Sequence, residues 1–257
     1  MLLKLPYSAG CLRRNIGCEA APAAIEAMLE KPKPKTIELK LDDSAVSASL
    51  ERIKSTVSNY LAAAESRPLL VLGGDHSISG PCFEALRSQT EDAGLLVLDA
   101  HPDVMPATKA PSHEDWLRLL VERRLLAHSR LVLVGIRNVH PAEAAFLREH
   151  GIKSFDMASL FEFGVLELAD SIMEAVRDFG ALHLSLDIDV ADPAFAPGTG
   201  CPEPGGLSSR ELLYLGRRFS KLRNLALVDV VEVNPTRDRE DMTTRLTAAF
   251  IRTILGE

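Results

Sequence analysis

Pro68-Leu69-Leu70-Val71-Leu72-Gly73-Gly74 is a continuous apolar run closed by two glycines. No polar residue interrupts it to face solvent, so it reads as a strand covered on both faces, as in a parallel sheet. The same unit recurs. The run at 95–98 stops at Asp99 and that at 131–134 at Gly135; that at 182–186, with His183 and Ser185 inside it, stops at Asp187, and that at 225–233, which carries Glu232, at Asn234-Pro235. Shorter strands are expected at 2–5, 36–39 and 152–155.

Helical patterns fill the intervals. Residues 22–29 carry Pro22 in the first turn, where a missing N–H does no harm. From 44 to about 66, Val46, Leu50, Ile53, Val57 and Leu61 recur at helical spacing. Further helices are expected at 81–88, 114–126, 141–150, 166–179, 208–219 and 243–255. Buried strands alternating with helices predict an α/β fold of three layers, a mostly parallel sheet covered on both sides. No repeat, low-complexity tract or long linker interrupts the pattern, so residues 1–257 read as one domain.

The 257 residues are 46% hydrophobic and 25% charged, an ordinary globular composition. A net charge of −7 argues against nucleic acid and anionic membranes as partners. Cys11, Cys18, Cys82 and Cys201 show no CxxC spacing and read as reduced thiols. The start of the chain lacks a signal-like apolar region, and no run approaches the roughly 18 residues that span a bilayer. A cytoplasmic protein is expected.

In such sheets ligands bind beyond the carboxyl ends of strands, and that is where the chemistry-bearing residues fall. Asp99, His101 and Asp103 occupy every second position, so an extended chain would turn all three to one face. Asp187 and Asp189 repeat that spacing, and His76 follows the Gly73-Gly74 strand end with Asp75 as an orienting or capping residue. Singly, each has a plain reading as a turn, a cap or a strand end entering a polar loop. Together, four aspartates and two histidines overfill one metal ion and suit two divalent ions sharing carboxylates. Oxygen-rich ligands with imidazole suit Mn²⁺, with Zn²⁺, Fe²⁺ or Co²⁺ as alternatives. Two close ions make water nucleophilic near neutral pH, so the chemistry on offer is hydrolysis.

The segments 73–77 (GGDHS), 99–103 (DAHPD), 185–200 (SLDIDVADPAFAPGTG) and 231–235 (VEVNP) together resemble the ureohydrolases, the family of arginase, agmatinase and formimidoylglutamase. Counterparts at 6–10, 135–137 and 243–246 make the likeness nearly chain-long. It implies a single domain with an eight-stranded sheet, and two Mn²⁺ ions. One would be held by His76, Asp99, Asp103 and Asp187, the other by His101, Asp99, Asp187 and Asp189. It implies cleavage of a C–N bond in a guanidino substrate with release of urea. Asp103 would pass a proton, Glu232 would anchor the cationic group, and His113 would shuttle a proton to the leaving amine. Ser112 and Asp115 also read as a capping box around His113, and both roles can hold at once.

Specificity positions depart from the arginase pattern. Met105 stands where an asparagine meets the substrate's α-carboxylate, His140 where an aspartate meets its α-amino group, and Cys201 where a threonine is usual. The loop 104–111 also looks short. L-arginine is therefore disfavoured. The alternatives are formimidoylglutamate or another amidine, and a metal-binding paralogue without turnover. The family resemblance further implies a homo-oligomer, a trimer or hexamer.

Overall fold

The computed structural model describes residues 1–30, 34–63, 68–107 and 110–256. Eight strands form one sheet: β1 (Leu2–Leu5), β2 (Thr36–Glu38), β3 (Leu69–Gly73), β4 (Ala93–Leu98), β5 (Leu131–Val134), β6 (Lys153–Phe155), β7 (Ala181–Asp187) and β8 (Leu225–Val231). Their order is β2-β1-β3-β8-β7-β4-β5-β6, and every pairing is parallel, so the expected mostly parallel sheet is parallel throughout.

Side-chain alternation divides the apolar runs between two cores. Leu70 and Leu72 of β3, with Leu96 and Leu98 of β4, pack under α1 (Ala21–Met28), α6 (Met157–Phe163), α7 (Val165–Val176), α8 (Ser209–Phe219) and α9 (Met242–Leu255). Leu69, Val71, Leu95 and Val97 face the other way. They meet α2 (Val46–Ala63), α3 (Ser79–Arg87), α4 (Trp116–Glu122) and α5 (Pro141–His150). Continuous apolar strands are what a sheet sandwiched between two helical layers requires.

The expected helix at 166–179 begins earlier and is preceded by α6, which the sequence reading missed. Gly164, at φ 83°, ends α6 and lets the chain turn into α7. The expected helix at 114–126 is shorter, because Arg124 adopts a left-handed φ of 58° just beyond α4. The end of the helix expected to reach about 66, and part of the loop 104–111, lie outside the described residues. Among the described residues no helix is long and apolar enough to cross a membrane.

Candidate metal centre

The four middle strands, β3, β8, β7 and β4, lie side by side and deliver the site from their carboxyl ends. After β3 the chain passes under Tyr7, and a Cβ on Gly74 would sit 1.9 Å from the Tyr7 carbonyl oxygen, so glycine is required there. Asp75 is the expected orienting residue. Its carboxylate accepts from Gly10 N at 2.8 Å and from Ser77 N at 2.9 Å, which starts the 3-10 turn carrying His76.

Asp99, His101 and Asp103 do not converge by strand alternation. β4 ends at Leu98, and the chain bends so that Asp99 Oδ1 accepts from His101 N at 2.6 Å, while Asp103 adopts a left-handed φ of 53°. The turn achieves what extended geometry was expected to achieve. His76 Nδ1 lies 3.1 Å from Asp99 Oδ2, 2.9 Å from Asp103 Oδ2 and 3.3 Å from Asp187 Oδ2. His101 Nδ1 lies 3.0 Å from Asp189 Oδ2 and 3.6 Å from Asp99 Oδ1. Asp187 closes β7 and caps the following turn by accepting from Asp189 N at 2.8 Å.

Two overlapping groups result, His76/Asp99/Asp187 and Asp99/His101/Asp189, each with its ligand atoms within 4.8 Å of one another. Asp99 belongs to both. Asp103 joins the first through its contact with His76, and Trp116 Nε1 donates to its Oδ2 at 2.8 Å. His76 Nδ1 and Asp99 Oδ2 are buried without a hydrogen-bond partner despite these short approaches. Close carboxylate and imidazole atoms that do not hydrogen-bond are the arrangement a cation between them would complete. The residues present fit a pair of divalent ions.

Electrostatics say the same. Burial, with the charges of Asp189 and Asp99, raises the Asp187 pKa well above the carboxylate range. Burial and Asp99 push Asp103 up to about 7. Burial disfavours charge on His76, yet Asp103, Asp187 and Asp99 outweigh it and raise its pKa strongly. Without metal, then, protons hold this cluster together, and divalent ions would take their place.

His101, Asp103, Asp187 and Asp189 of the cluster line a cleft of about 260 Å³. Glu232 lines it, 4% exposed and at a left-handed φ of 62°. Such strain in a non-glycine residue persists where the surroundings fix it. Here Oε1 accepts from His76 N at 2.7 Å and Oε2 from Asn15 Nδ2 at 2.6 Å. His113 Nδ1 faces Glu232 Oε1 at 3.5 Å, and its buried Nε2 has no partner. Burial opposes the imidazolium, but Glu232 outweighs it and carries the His113 pKa to about 9. Half of the expected capping box forms, since Asp115 Oδ1 accepts from Ser112 N at 2.7 Å.

Met105, His140 and Cys201 all reach the cleft wall, as do Arg14, Asn138 and Glu203. One ring nitrogen of His140 is committed to a cap, because Nδ1 accepts from Ala142 N at 3.2 Å. Burial and Asp189 push the Cys201 thiol up to about 11, so it is not a nucleophile at neutral pH. Glu203 Oε1 accepts from Asn138 Nδ2 at 2.6 Å and lies 3.5 Å from His101 Nε2.

The sequence reading missed Asn15, Trp116, Glu203 and a buried row behind His76 formed by Ser185, Asp229 and His183. Asp229 left a signal as a charge inside the apolar run of β8, and His183 and Ser185 as polar residues inside that of β7. The others look like ordinary loop or helix residues until the fold brings them together.

Fold and site define an all-parallel α/β protein with a buried Asp/His cluster suited to divalent cations at the carboxyl ends of its central strands. Residues 1–256 match the Arginase family model, and the chain belongs to that family, hydrolases of C–N bonds in amidines. It is 28% identical over 304 residues to an arginase of Schizosaccharomyces pombe, covering 100% of this chain and 91% of that protein. Its fold resembles formimidoylglutamase from Bacillus subtilis, with a TM-score of 0.93, 26% identity, and coverage of 99% and 85% of the two chains. Proclavaminate amidino hydrolase from Streptomyces clavuligerus gives 0.87 at 31% identity, covering 99% and 89%.

Proposed function

We propose that this chain is a binuclear, manganese-dependent ureohydrolase that cleaves a C–N bond of a small guanidino substrate and releases urea. The observation that carries this reading is Glu232. It is a buried carboxylate on the cleft wall, held below the usual range, despite its burial, by His113 and by hydrogen bonds from His76 N and Asn15. An anion fixed beside a carboxylate-lined floor calls for a cationic ligand, and a planar guanidinium provides charge-assisted donors.

The ligands are read as His76, Asp99, Asp103 and Asp187 for one ion, and His101, Asp99, Asp187 and Asp189 for the other. When bound, the two ions supply Lewis acidity and a nucleophile drawn from water near neutral pH. Glu232 orients the guanidinium carbon toward the cluster. Trp116 occupies Asp103 Oδ2, which leaves Oδ1 to take and pass a proton. His113, charged at neutral pH beside Glu232, can protonate the leaving nitrogen through Nε2.

Met105 and His140 offer no charge-complementary grip on an α-amino acid tail, so a substrate other than L-arginine is expected. Formimidoylglutamate is the second reading, favoured by the likeness to formimidoylglutamase. We further read residues 1–257 as one domain, and the protein as a cytoplasmic homo-oligomer. A Mn²⁺-loaded panel of guanidino and amidine compounds, scored separately for urea, ammonia and formamide, tests the activity. Urea from a guanidino compound supports the first reading, formamide the second, and no turnover by protein with two bound ions would mark a non-catalytic paralogue.

A further inference from the structure

Behind His76, away from the cleft, a polar row crosses the sheet inside the core. His183 and Ser185 of β7 and Asp229 of β8 are all 0% exposed, and Ser185 lies opposite Asp229 in register. His183 Nε2 lies 2.6 Å from Asp229 Oδ2, Ser185 Oγ donates to Asp229 Oδ1 at 2.6 Å, and His76 Nε2 lies 3.0 Å from Ser185 Oγ. Four buried polar groups in an apolar core are costly unless satisfied, and here they bond to one another, with only His183 Nδ1 and His76 Nδ1 left without a partner.

We propose that Asp229, acting through Ser185, is a positioning residue that fixes the His76 ring with Nδ1 bare and turned toward the carboxylate cluster. The direction of each bond follows from what each group can donate. An ionised carboxylate only accepts, so the single hydroxyl proton of Ser185 goes to Asp229. Ser79 Oγ, at 3.3 Å from Ser185 Oγ, is a more distant competitor for that proton. Toward His76, Ser185 can then only accept, which places a hydrogen on Nε2. In the neutral ring Nδ1 is left as a lone pair, 2.9–3.3 Å from oxygens of Asp103, Asp99 and Asp187. That arrangement repels unless a proton or a divalent cation receives the lone pair, and a bound cation would take the proton's place. His183 Nε2 meets the far oxygen of Asp229 at 2.6 Å, so both carboxylate oxygens face groups that can donate to them. A bond from the second ring nitrogen to a hydrogen-bonded partner fixes the tautomer of a metal-ligating histidine and strengthens it as a ligand.

The inference rests on the reading of His76 as a metal ligand, and the test separates the two. Full-length protein stripped of metal is titrated with Mn²⁺ alone, following free Mn²⁺ by electron paramagnetic resonance. Wild type takes up two ions. Ser185→Ala should weaken one of them about 10- to 100-fold, and Ser185→Thr, which keeps the hydroxyl, should recover most of that loss. Asp229→Asn, which keeps an acceptor for Ser185 but no longer enforces the direction of the chain, should fall at the lower end of that range. Melting adds a second readout. A purely structural role lowers the Tm of metal-free and Mn²⁺-loaded protein equally, whereas positioning shrinks the gain on adding Mn²⁺. Wild-type affinity for both ions in Ser185→Ala and Asp229→Asn, or equal Tm losses with affinity intact, would overturn the role of the row. A wild-type protein that takes up no Mn²⁺ would overturn the metal centre itself.

Discussion

Replacing Glu232 by glutamine changes one carboxylate oxygen to an amide nitrogen on the cleft wall. Both carboxylate oxygens meet donors, His76 N at 2.7 Å and Asn15 Nδ2 at 2.6 Å. Asn15 is itself held, since its Oδ1 accepts from Asn234 Nδ2 at 2.7 Å, so it cannot turn its amide over without losing that bond. A glutamine therefore sets donor against donor at one end. Leaving a buried donor unsatisfied costs about 1–3 kcal/mol, and stability should fall by that order. The lost charge acts on the substrate. A hydrogen bond to a charged group contributes about 1.5–3 kcal/mol, so kcat/KM for a guanidinium substrate should drop roughly 10- to 150-fold. Glu232 belongs to neither candidate metal group, so ion content should not change. Steady-state kinetics on the best substrate of the wild type, with metal analysis and a thermal melt of the same preparation, measures all three. A kcat/KM within twofold of wild type, or loss of an ion, would refute the assignment of Glu232 as the anchor for a cation.

Three further outcomes follow from the geometry. His113 has a folded pKa near 9 against an ordinary 6.5, so it stabilises metal-free protein fully below pH 6.5 and loses that contribution as pH rises through 9. The stability gap between wild type and His113→Asn should therefore close between those values, and a pH-independent gap would contradict the His113–Glu232 pairing. In turnover, His113→Asn should lower kcat and flatten its fall at alkaline pH; an unchanged pH–rate profile would remove the proton-shuttle role. Asp187 has its pKa raised by burial and by Asp189 and Asp99, so it favours the fold only while protonated and becomes a liability as pH rises. Metal-free Asp187→Asn should thus be at least as stable as wild type at pH 8, yet gain little of the roughly 2.7 kcal/mol that a ligand supplies at a hundred times its Kd. Two-ion uptake by that variant, measured by metal analysis, would show that Asp187 does not serve both ions.

The sheet was legible because a strand buried on both faces cannot hide. Runs such as 69–73 and 131–134 are apolar at every position, and only a parallel sheet between two helical layers leaves no position for water. The candidate ligands were legible for a related reason. Asp99, His101, Asp187 and Asp189 stand at the ends of such runs, where the architecture places ligand chemistry. What the spacing could not supply was the local path. The i, i+2, i+4 pattern suggested extended chain through Asp103, whereas the left-handed φ at Asp103 reaches the same convergence by a turn. Residues that act through tertiary neighbours left no pattern: Asn15 reaches Glu232 across 217 positions, and Trp116 reads as a core residue of α4 although its indole N–H also holds Asp103. The substrate tail stays least legible, because Met105, His140, Cys201 and Glu203 come from three separate loops whose meeting is fixed only in three dimensions.

The binuclear centre is tested most directly by anomalous diffraction at the manganese edge from crystals grown with Mn²⁺. Two peaks are expected, one among His76, Asp99, Asp103 and Asp187 and the other among His101, Asp99, Asp187 and Asp189, with Asp99 and Asp187 touching both. A single peak, or none within reach of these side chains, would contradict it.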